Sequence, residues 1–329
     1  MVSLSIVIPN YKGYDLLEKC IASIRASSKE DYEIIVVDNG SVDVLEKLEE
    51  LNGAEKIKVI FLNENAGFSK AVNIGIKEAQ GELIAVLNND TKVDNYWVEN
   101  VLDAFDKHKD VFFITSKILQ LNDRKLIDDV GDVLLMHGKT SKIGYNEIDA
   151  GQYDEKRFVF GASGAACVYR KEFFNNVGYF DEDFFSYLED VDLSFRANLY
   201  GLKCLYVPDA VVYHIGSAST GSTYNDFTLF YLARNLVSVI VKNYPRKVLF
   251  MAFPRIIAYL IAIQAYYILK GFGLNYTKGL ISGIGMIKRM LVKRREIMSR
   301  KVLTDIELIK MFKENKMLYE RSKTNRVKK

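Results

Sequence analysis

Cysteine, proline, histidine and tryptophan are all scarce: 329 residues contain three Cys, four Pro, three His and one Trp. Cys20, Cys167 and Cys204 are far apart, odd in number and outside any CxxC pair, which argues against a disulfide framework or a cysteine zinc site. A reducing cytoplasmic setting fits. With 49% hydrophobic and 26% charged residues and so little proline, the composition is not that of a disordered chain. No basic leader precedes the short apolar run at 4–8, so export is not expected. No GxGxxG follows that run, against a dinucleotide dehydrogenase. The segment Ile8-Pro9-Asn10-Tyr11-Lys12-Gly13 also lacks the glycine- and basic-rich loop of a nucleotidyltransferase. The formal charge of +3 carries little information by itself, and nucleic acid is not among the expected partners.

Present instead is a regular alternation of short apolar runs and amphipathic segments over the first 116 residues. It reads as repeated βα units around a mostly parallel sheet, an α/β fold. Strands are expected at 4–9, 33–38, 57–62, 83–87 and 111–115, and helices at 14–26, 42–51, 69–79 and 97–107. In the first helix Leu16, Leu17, Cys20, Ile21 and Ile24 share one face at a period near 3.6. Between about 116 and 157 the pattern dissolves into polar, glycine-bearing sequence, including Asp128-Asp129-Val130-Gly131-Asp132, expected to be a variable connection over one end of the sheet. Small residues around Gly164 permit close backbone approach. Helices are then expected near Lys171 and after Glu189-Asp190.

The apolar strand 83–87 ends abruptly in Asn88-Asn89-Asp90, and open α/β sheets place ligands at the carboxyl ends of their strands. Four such ends carry polar groups: Pro9-Asn10, Asp38-Asn39, Asn63 with Asn65, and Asn88 to Asp90. Asp38 suits a ribose or base, with a turn or cap as the plain alternative because Asn39-Gly40 follows. Asn65-Ala66-Gly67 opens a helix whose amino end favours anions. Asp90 suits a hard divalent cation, Mg²⁺ or Mn²⁺, shared with a diphosphate; the alternative is a cap for the helix near Trp97. Glu189, Asp190 and Asp192 stand at a helix start. Asp192 reads as a dipole partner of Arg196 at i,i+4, leaving Glu189 and Asp190 as candidates to take a proton from an attacking hydroxyl. His214 follows a β-like run and is a candidate metal ligand, whereas His108 and His137 have no such context.

After about residue 224 the chain turns to long helical stretches, so the division expected is 1–223 for catalysis and 224–329 for a helical region. Pro254 and Arg255 interrupt its apolar segment, leaving 14 uncharged residues over 256–269, short of the roughly 20 of a spanning helix. With the basic run 288–301 behind it, the segment is expected to lie on the inner face of the cytoplasmic membrane. A helical hairpin packed on the catalytic part, or an interface in a homo-oligomer, is the alternative.

Taken in order, Ser5-Ile6-Val7-Ile8-Pro9-Asn10-Tyr11, Val36-Val37-Asp38-Asn39-Gly40-Ser41, Asn65-Ala66-Gly67-Phe68 with Asn73-Ile74-Gly75, and Glu189-Asp190-Val191-Asp192-Leu193 resemble the motifs of the inverting family 2 glycosyltransferases of GT-A fold, in particular their rhamnosyltransferase-like branch. The resemblance covers roughly residues 3–220, and the helical tail, including Arg234-Asn235 and Pro245, is also similar to tails of membrane-associated members. It implies a nucleotide-diphosphate sugar donor, such as dTDP-rhamnose or a UDP-sugar, and a glycan or polyprenyl-linked acceptor in cell-surface polysaccharide synthesis. It places Pro9, Asn10, Tyr11 and Asp38 on the nucleoside, with Asn65, Gly67, Asn73, Asn88 and Asn89 on the donor side. Asp90 falls in the DxD slot that holds metal and diphosphate, Asp190 at the catalytic base with Glu189 beside it, Gly164 on the acceptor side, and His214 at a histidine that completes the metal coordination in some members. The slot here reads Asn-Asn-Asp, so its first carboxylate is an amide. Nucleotidyl transfer and a non-catalytic membrane scaffold are the competing readings.

Overall fold

The structure, a computed structural model, describes residues 2–216 and 225–327. The expected division near residue 224 lies outside the described residues. The amino-terminal part runs β1 (Leu4–Asn10), α1 (Tyr14–Arg25), β2 (Tyr32–Asp38), α2 (Leu45–Leu51), β3 (Ile57–Phe61), α3 (Phe68–Glu78), β4 (Leu83–Leu87), β5 (Thr91–Val93) and α4 (Trp97–Lys107). It continues through β6 (Phe113–Gln120), β7 (Ile127–Asp129), β8 (Asp132–Leu134), β9 (Thr140–Lys142), β10 (Arg157–Val159), β11 (Ala166–Arg170), α5 (Lys171–Val177), α6 (Glu189–Leu199) and β12 (Cys204–His214). Helices α7 (Asp226–Asn243), α8 (Arg246–Leu269), α9 (Gly273–Gly285), α10 (Ile287–Ser299) and α11 (Asp305–Thr324) follow.

Strand order in the main sheet is β10-β12-β6-β11-β4-β1-β2-β3. The half β4-β1-β2-β3 is parallel throughout, and β11 enters antiparallel between β4 and β6. Strict alternation along β1 sorts its side chains onto two cores, because successive Cβ atoms point to opposite faces. Leu4, Ile6 and Ile8 pack with Leu17, Ile21 and Trp97 on the α1 and α4 face, whereas Val7 packs with Val72, Ile76 and Phe173 on the α3 and α5 face. Hydrophobic periodicity of this kind was sufficient to place the frame as far as residue 107.

The chain order of the sheet reverses between β1 and β4, which is where a ligand crevice opens in such sheets. Here the two strands pair only from Leu4 with Leu83 to Val7 with Val86, so they separate before Pro9. Pro9 still runs beside Val37 of β2, and its missing N–H falls beyond the register shared with β4.

The segment 116–157 is more than a cover. β6 extends to Gln120, β7 adds to its edge, and β8 pairs with β9. These strands of three residues are too short to show a period, which is why the sequence read as irregular. A third core then joins the two parts of the chain: Leu134, Phe160, Phe184 and Phe195 pack against Leu236, Ile240, Tyr244, Ile297 and Phe312.

Helix α8 continues through Pro254, so the sequence interruption is one of apolarity and not of the helix. Its 24 residues make it long and apolar enough to cross a membrane by length and composition, and only 17% of its apolar window is buried. Phe250 and Leu269 are 82% and 86% exposed, and Ile281 and Ile284 of α9 are exposed as well. The basic run 288–301 is largely engaged within the protein. Arg289 pairs with Asp183, Lys293 with Asp181 and Asp183, Lys301 with Asp305, and Arg294 and Arg300 donate to the Val241 and Asn176 carbonyls.

Candidate functional site

At the mouth of the crevice the strand-end amides bind one another. Asn89 Nδ2 donates to Asn10 Oδ1 at 2.8 Å, and Asn10 Nδ2 donates to Asp38 Oδ1 at 3.2 Å. The other Asp38 oxygen accepts from the Ser41 N–H at 2.8 Å, so the turn role and a place on the crevice wall coexist in one residue. Asn39 Nδ2 donates to Asn65 Oδ1, and Asn39 Oδ1 accepts from the Ala66 N–H. Tyr11 stands exposed beside this network with the Lys12 ammonium 5.4 Å from its ring centre.

Two expectations for the donor side change. Asn73 is buried in α3 and saturated by protein: its Nδ2 donates to the Phe180 carbonyl at 2.8 Å and to Glu182 at 3.0 Å, and its Oδ1 accepts from the Phe180 N–H. It ties α3 to the segment before α6 and has no polar atom left for a ligand. The amino end of α3 is likewise engaged, because the Ser69 N–H donates to the Phe185 carbonyl and the Gly67 N–H to Asn65. Gly67 has φ +86°, and a Cβ there would lie 2.6 Å from Phe185, so the glycine admits the close approach of that residue.

Asp90 does not cap α4. The turn before Trp97 is made by Asp94, whose side chain accepts from the Tyr96 N–H and whose carbonyl accepts from the Trp97 N–H. Instead β5 lies antiparallel to β12 with Thr91 opposite His214, which brings Asp90 to the histidine across 124 residues of sequence. His214 Nε2 stands 3.2 Å from Asp90 Oδ1, and its Nδ1 stands 2.9 Å from Asp128 Oδ2, which Lys142 also meets at 2.7 Å. Burial alone would lower the histidine pKa, but the Asp128 and Asp90 carboxylates overcome it and lift it to about 9.

This set fits a divalent cation as two ligands of a larger shell. Asp90 Oδ1 is buried and, although close to His214, meets no donor in hydrogen-bond geometry. An Nδ1–H directed at Asp128 leaves Nε2 as a lone pair facing Asp90, the carboxylate–histidine arrangement that orients a metal ligand. No cluster of three or more His, Cys, Asp or Glu side chains suited to a metal occurs among the described residues; a cation held by Asp90 and His214 would leave room in its shell for diphosphate oxygens and water. Asp128 was missed in the sequence because a carboxylate in a polar, glycine-bearing stretch resembles any solvated turn. Its only local signal is the apolar Leu126-Ile127 immediately before it.

Asp190 lies at the first turn of α6, surrounded by protein yet partly open to solvent. Its Oδ2 accepts from the Gly164 N–H at 2.9 Å and its Oδ1 from the Val191 N–H at 2.8 Å. A Cβ on Gly164 would lie 3.2 Å from that Oδ2, so the glycine sets how closely the loop approaches the acid. Burial raises the Asp190 pKa, opposed by these two N–H groups. Buried Asp132 nearby is pushed well above the carboxylate range by burial and by the charges of Asp129 and Asp190. Glu189 is also raised far above its ordinary value by burial and then by Asp190, and its Oε2 has no partner. Asp192 is fully buried and paired with Arg196 as expected from i,i+4 spacing, and it also receives Lys242 Nζ at 2.8 Å and Asn243 Nδ2 at 2.8 Å from α7.

A family profile described as "Glycosyl transferase family 2" matches residues 5–178, more than half of the chain. A putative teichuronic acid biosynthesis glycosyltransferase, TuaG of Bacillus subtilis, is 30% identical over 129 residues, covering 38% of this chain and 50% of the relative. A poly-beta-1,6-N-acetyl-D-glucosamine synthase of Staphylococcus epidermidis is 24% identical over 223 residues, 66% of this chain and 51% of that protein. The chain thus spans about half the length of the curated relatives it matches. Among solved structures, GalNAc-T7 with UDP, GalNAc and Mn²⁺ aligns with a TM-score of 0.61 at 20% identity, over 74% of this chain and 48% of that one. S. aureus TarS 1–349 in complex with UDP-GlcNAc aligns with a TM-score of 0.55 at 15% identity, over 97% and 92%. These likenesses show the fold: a GT-A-like α/β sheet with flanking helices.

Proposed function

The chain belongs to glycosyl transferase family 2, and from that premise we propose that it moves a sugar, with inversion, from a nucleotide diphosphate donor to a hydroxyl of a glycan or lipid-linked acceptor in cell-surface polysaccharide synthesis. One observation carries the mechanism: Asp190 is a partly open carboxylate whose raised pKa and fixed orientation suit a general base. It takes the acceptor hydroxyl proton as the oxygen attacks the anomeric carbon opposite the leaving diphosphate. Burial and the Asp190 charge push Glu189 beside it towards the neutral form, against a second negative charge.

On the donor side Asn10, Tyr11 and Asp38 receive the nucleoside, and Pro9, Asn65, Gly67 and Asn89 shape that wall. Asn73 supports it from behind. Asn88, whose side chain is half-buried, and Asp90 face the diphosphate, while Asp90 and His214 hold the cation. A divalent cation bound there supplies positive charge to the departing nucleoside diphosphate. Asp128 keeps Nε2 of His214 turned toward Asp90.

The TarS structure with UDP-GlcNAc and the GalNAc-T7 structure with UDP and GalNAc support a UDP-sugar donor, and the branch resemblance supports dTDP-rhamnose. Incubating the full chain with UDP-GlcNAc, UDP-galactose, GDP-mannose and dTDP-rhamnose in Mn²⁺ should release nucleoside diphosphate from a UDP-sugar or from dTDP-rhamnose. Release from neither, together with no binding of UDP or dTDP by calorimetry, sinks the donor assignment.

Residues 1–223 form the catalytic unit in this reading, and 224–329 a helical region that rests on the inner face of the cytoplasmic membrane. The exposed apolar face of α8 and α9 supports this, together with Lys247, Lys278, Lys288 and Arg295, which are exposed on the helices of this region. Flotation with liposomes should require anionic lipid and weaken as salt is raised. Flotation indifferent to both would mean that α8 inserts, and no flotation would leave the face to a second copy of the chain.

A further inference from the structure

The segment leading into Asp190 has an unusual backbone. Phe185, Tyr187 and Leu188 have φ of 63°, 69° and 65°, a region that non-glycine residues rarely occupy. Phe185, with ψ −63°, is the centre of a γ-turn in which the Ser186 N–H donates to the Phe184 carbonyl at 2.7 Å. Left to itself such a segment relaxes, so something outside it must hold it.

That something is α7. Asn235 is fully buried, and its Nδ2 points at three carbonyls of this one segment: Phe184 at 2.9 Å, Ser186 at 2.9 Å and Tyr187 at 2.7 Å. Arg234 donates to the Asp183 and Phe184 carbonyls at 2.8 and 2.7 Å. Phe185 stacks on Tyr231 of the same helix at 5.1 Å, while its carbonyl receives Ser69 at the start of α3. One turn of α7 thus fixes a strained loop that touches the donor wall at one end and leads directly into α6 at the other.

We propose that Asn235, assisted by Arg234, is a positioning residue for acceptor attack: by clamping the γ-turn and the left-handed residues after it, Asn235 sets the Asp190 carboxylate against the Gly164 N–H. The proposal rests on Asp190 as the base for its effect on turnover, but not for its effect on geometry.

The test uses the full chain with Asn235→Ala, with Arg234→Ala as the milder second variant. Amide exchange at Gly164, whose N–H is held by Asp190, should accelerate by about tenfold in Asn235→Ala without a matching rise across β1 or β4. Turnover of UDP-GlcNAc or dTDP-rhamnose onto native membrane acceptors should fall by about 100-fold in kcat, with donor KM little changed, as expected when a reacting group is displaced. Adding Tyr187→Gly, which accepts the left-handed backbone without a clamp, should recover part of both losses. Unchanged Gly164 exchange, unchanged kcat or a KM that rises in step overturns the proposal. If exchange and kcat respond as expected but Asp190→Asn transfers normally, the base assignment fails and the clamp stands.

Discussion

Asp190→Asn should abolish glycosyl transfer while leaving a folded chain that still binds donor. General-base removal lowers rates by about 10²–10⁴-fold, and a loss near the upper end is expected because burial pushes the adjacent Glu189 towards its neutral form. Donor KM should stay within about threefold, since the proposed mechanism sets Asp190 against the acceptor oxygen and not the diphosphate. The pH profile carries the sign. Burial raises the Asp190 pKa, so kcat/KM should fall with decreasing pH at a value above that of an ordinary aspartate. Stability goes the other way. A carboxyl whose folded pKa is raised favours the fold below its unfolded pKa and loses that contribution as pH rises through the folded one, so Asp190, once ionised, is a burden on the fold. Asp190→Asn should therefore melt no lower than the unmodified chain at pH 7. Normal transfer by this variant would remove Asp190 from the chemistry.

Asp90→Ala and His214→Ala should each reduce Mn²⁺-dependent turnover, by about 10²-fold or more, and their effects should not add. Once either ligand is lost the other holds little, so the double variant should resemble the worse single one, with a coupling of about 1–3 kcal/mol. A readout independent of turnover is available. His214 is lifted to about 9 and is protonated at neutral pH without a cation, so binding must expel that proton. Apparent Mn²⁺ affinity in the presence of UDP should rise by about tenfold per pH unit between pH 6 and 8, and this slope should vanish in His214→Ala. Simple additivity with an unchanged slope would mean that Asp90 contacts the donor without a shared cation.

The parts of this site that sequence reveals are those fixed by local pattern. Strand ends were recognisable because a buried run such as 83–87 stops at a polar residue, and α6 because acidic residues gather at its first turn. The Asp90–His214 pairing followed from neither, and only the family resemblance put the two on one cation. It is set by the antiparallel register of a three-residue strand, β5, on an eleven-residue one, β12. Asn73 shows the opposite failure: an amide in a donor-side motif is engaged by a segment more than 100 residues away. Asn235 lies in a helix whose other buried positions are mostly apolar or small, and nothing in its neighbours reveals that three carbonyls converge on it. Long-range polar contacts leave no periodicity, so only the folded chain displays them.

The fully buried Asp192 imposes an order on assembly. Arg196 is four residues away and is available as soon as α6 forms, but Lys242 and Asn243 leave the ribosome only some 50 residues later. Until then the carboxylate lacks two of its three partners, and a buried charge without its partner costs about 3–5 kcal/mol. A nascent chain can close the parallel half-sheet β4-β1-β2-β3 early, while the start of α6, which carries Asp190, gains its last polar partners late. During synthesis the parallel half-sheet is therefore free to form before the start of α6 has its full set of polar partners.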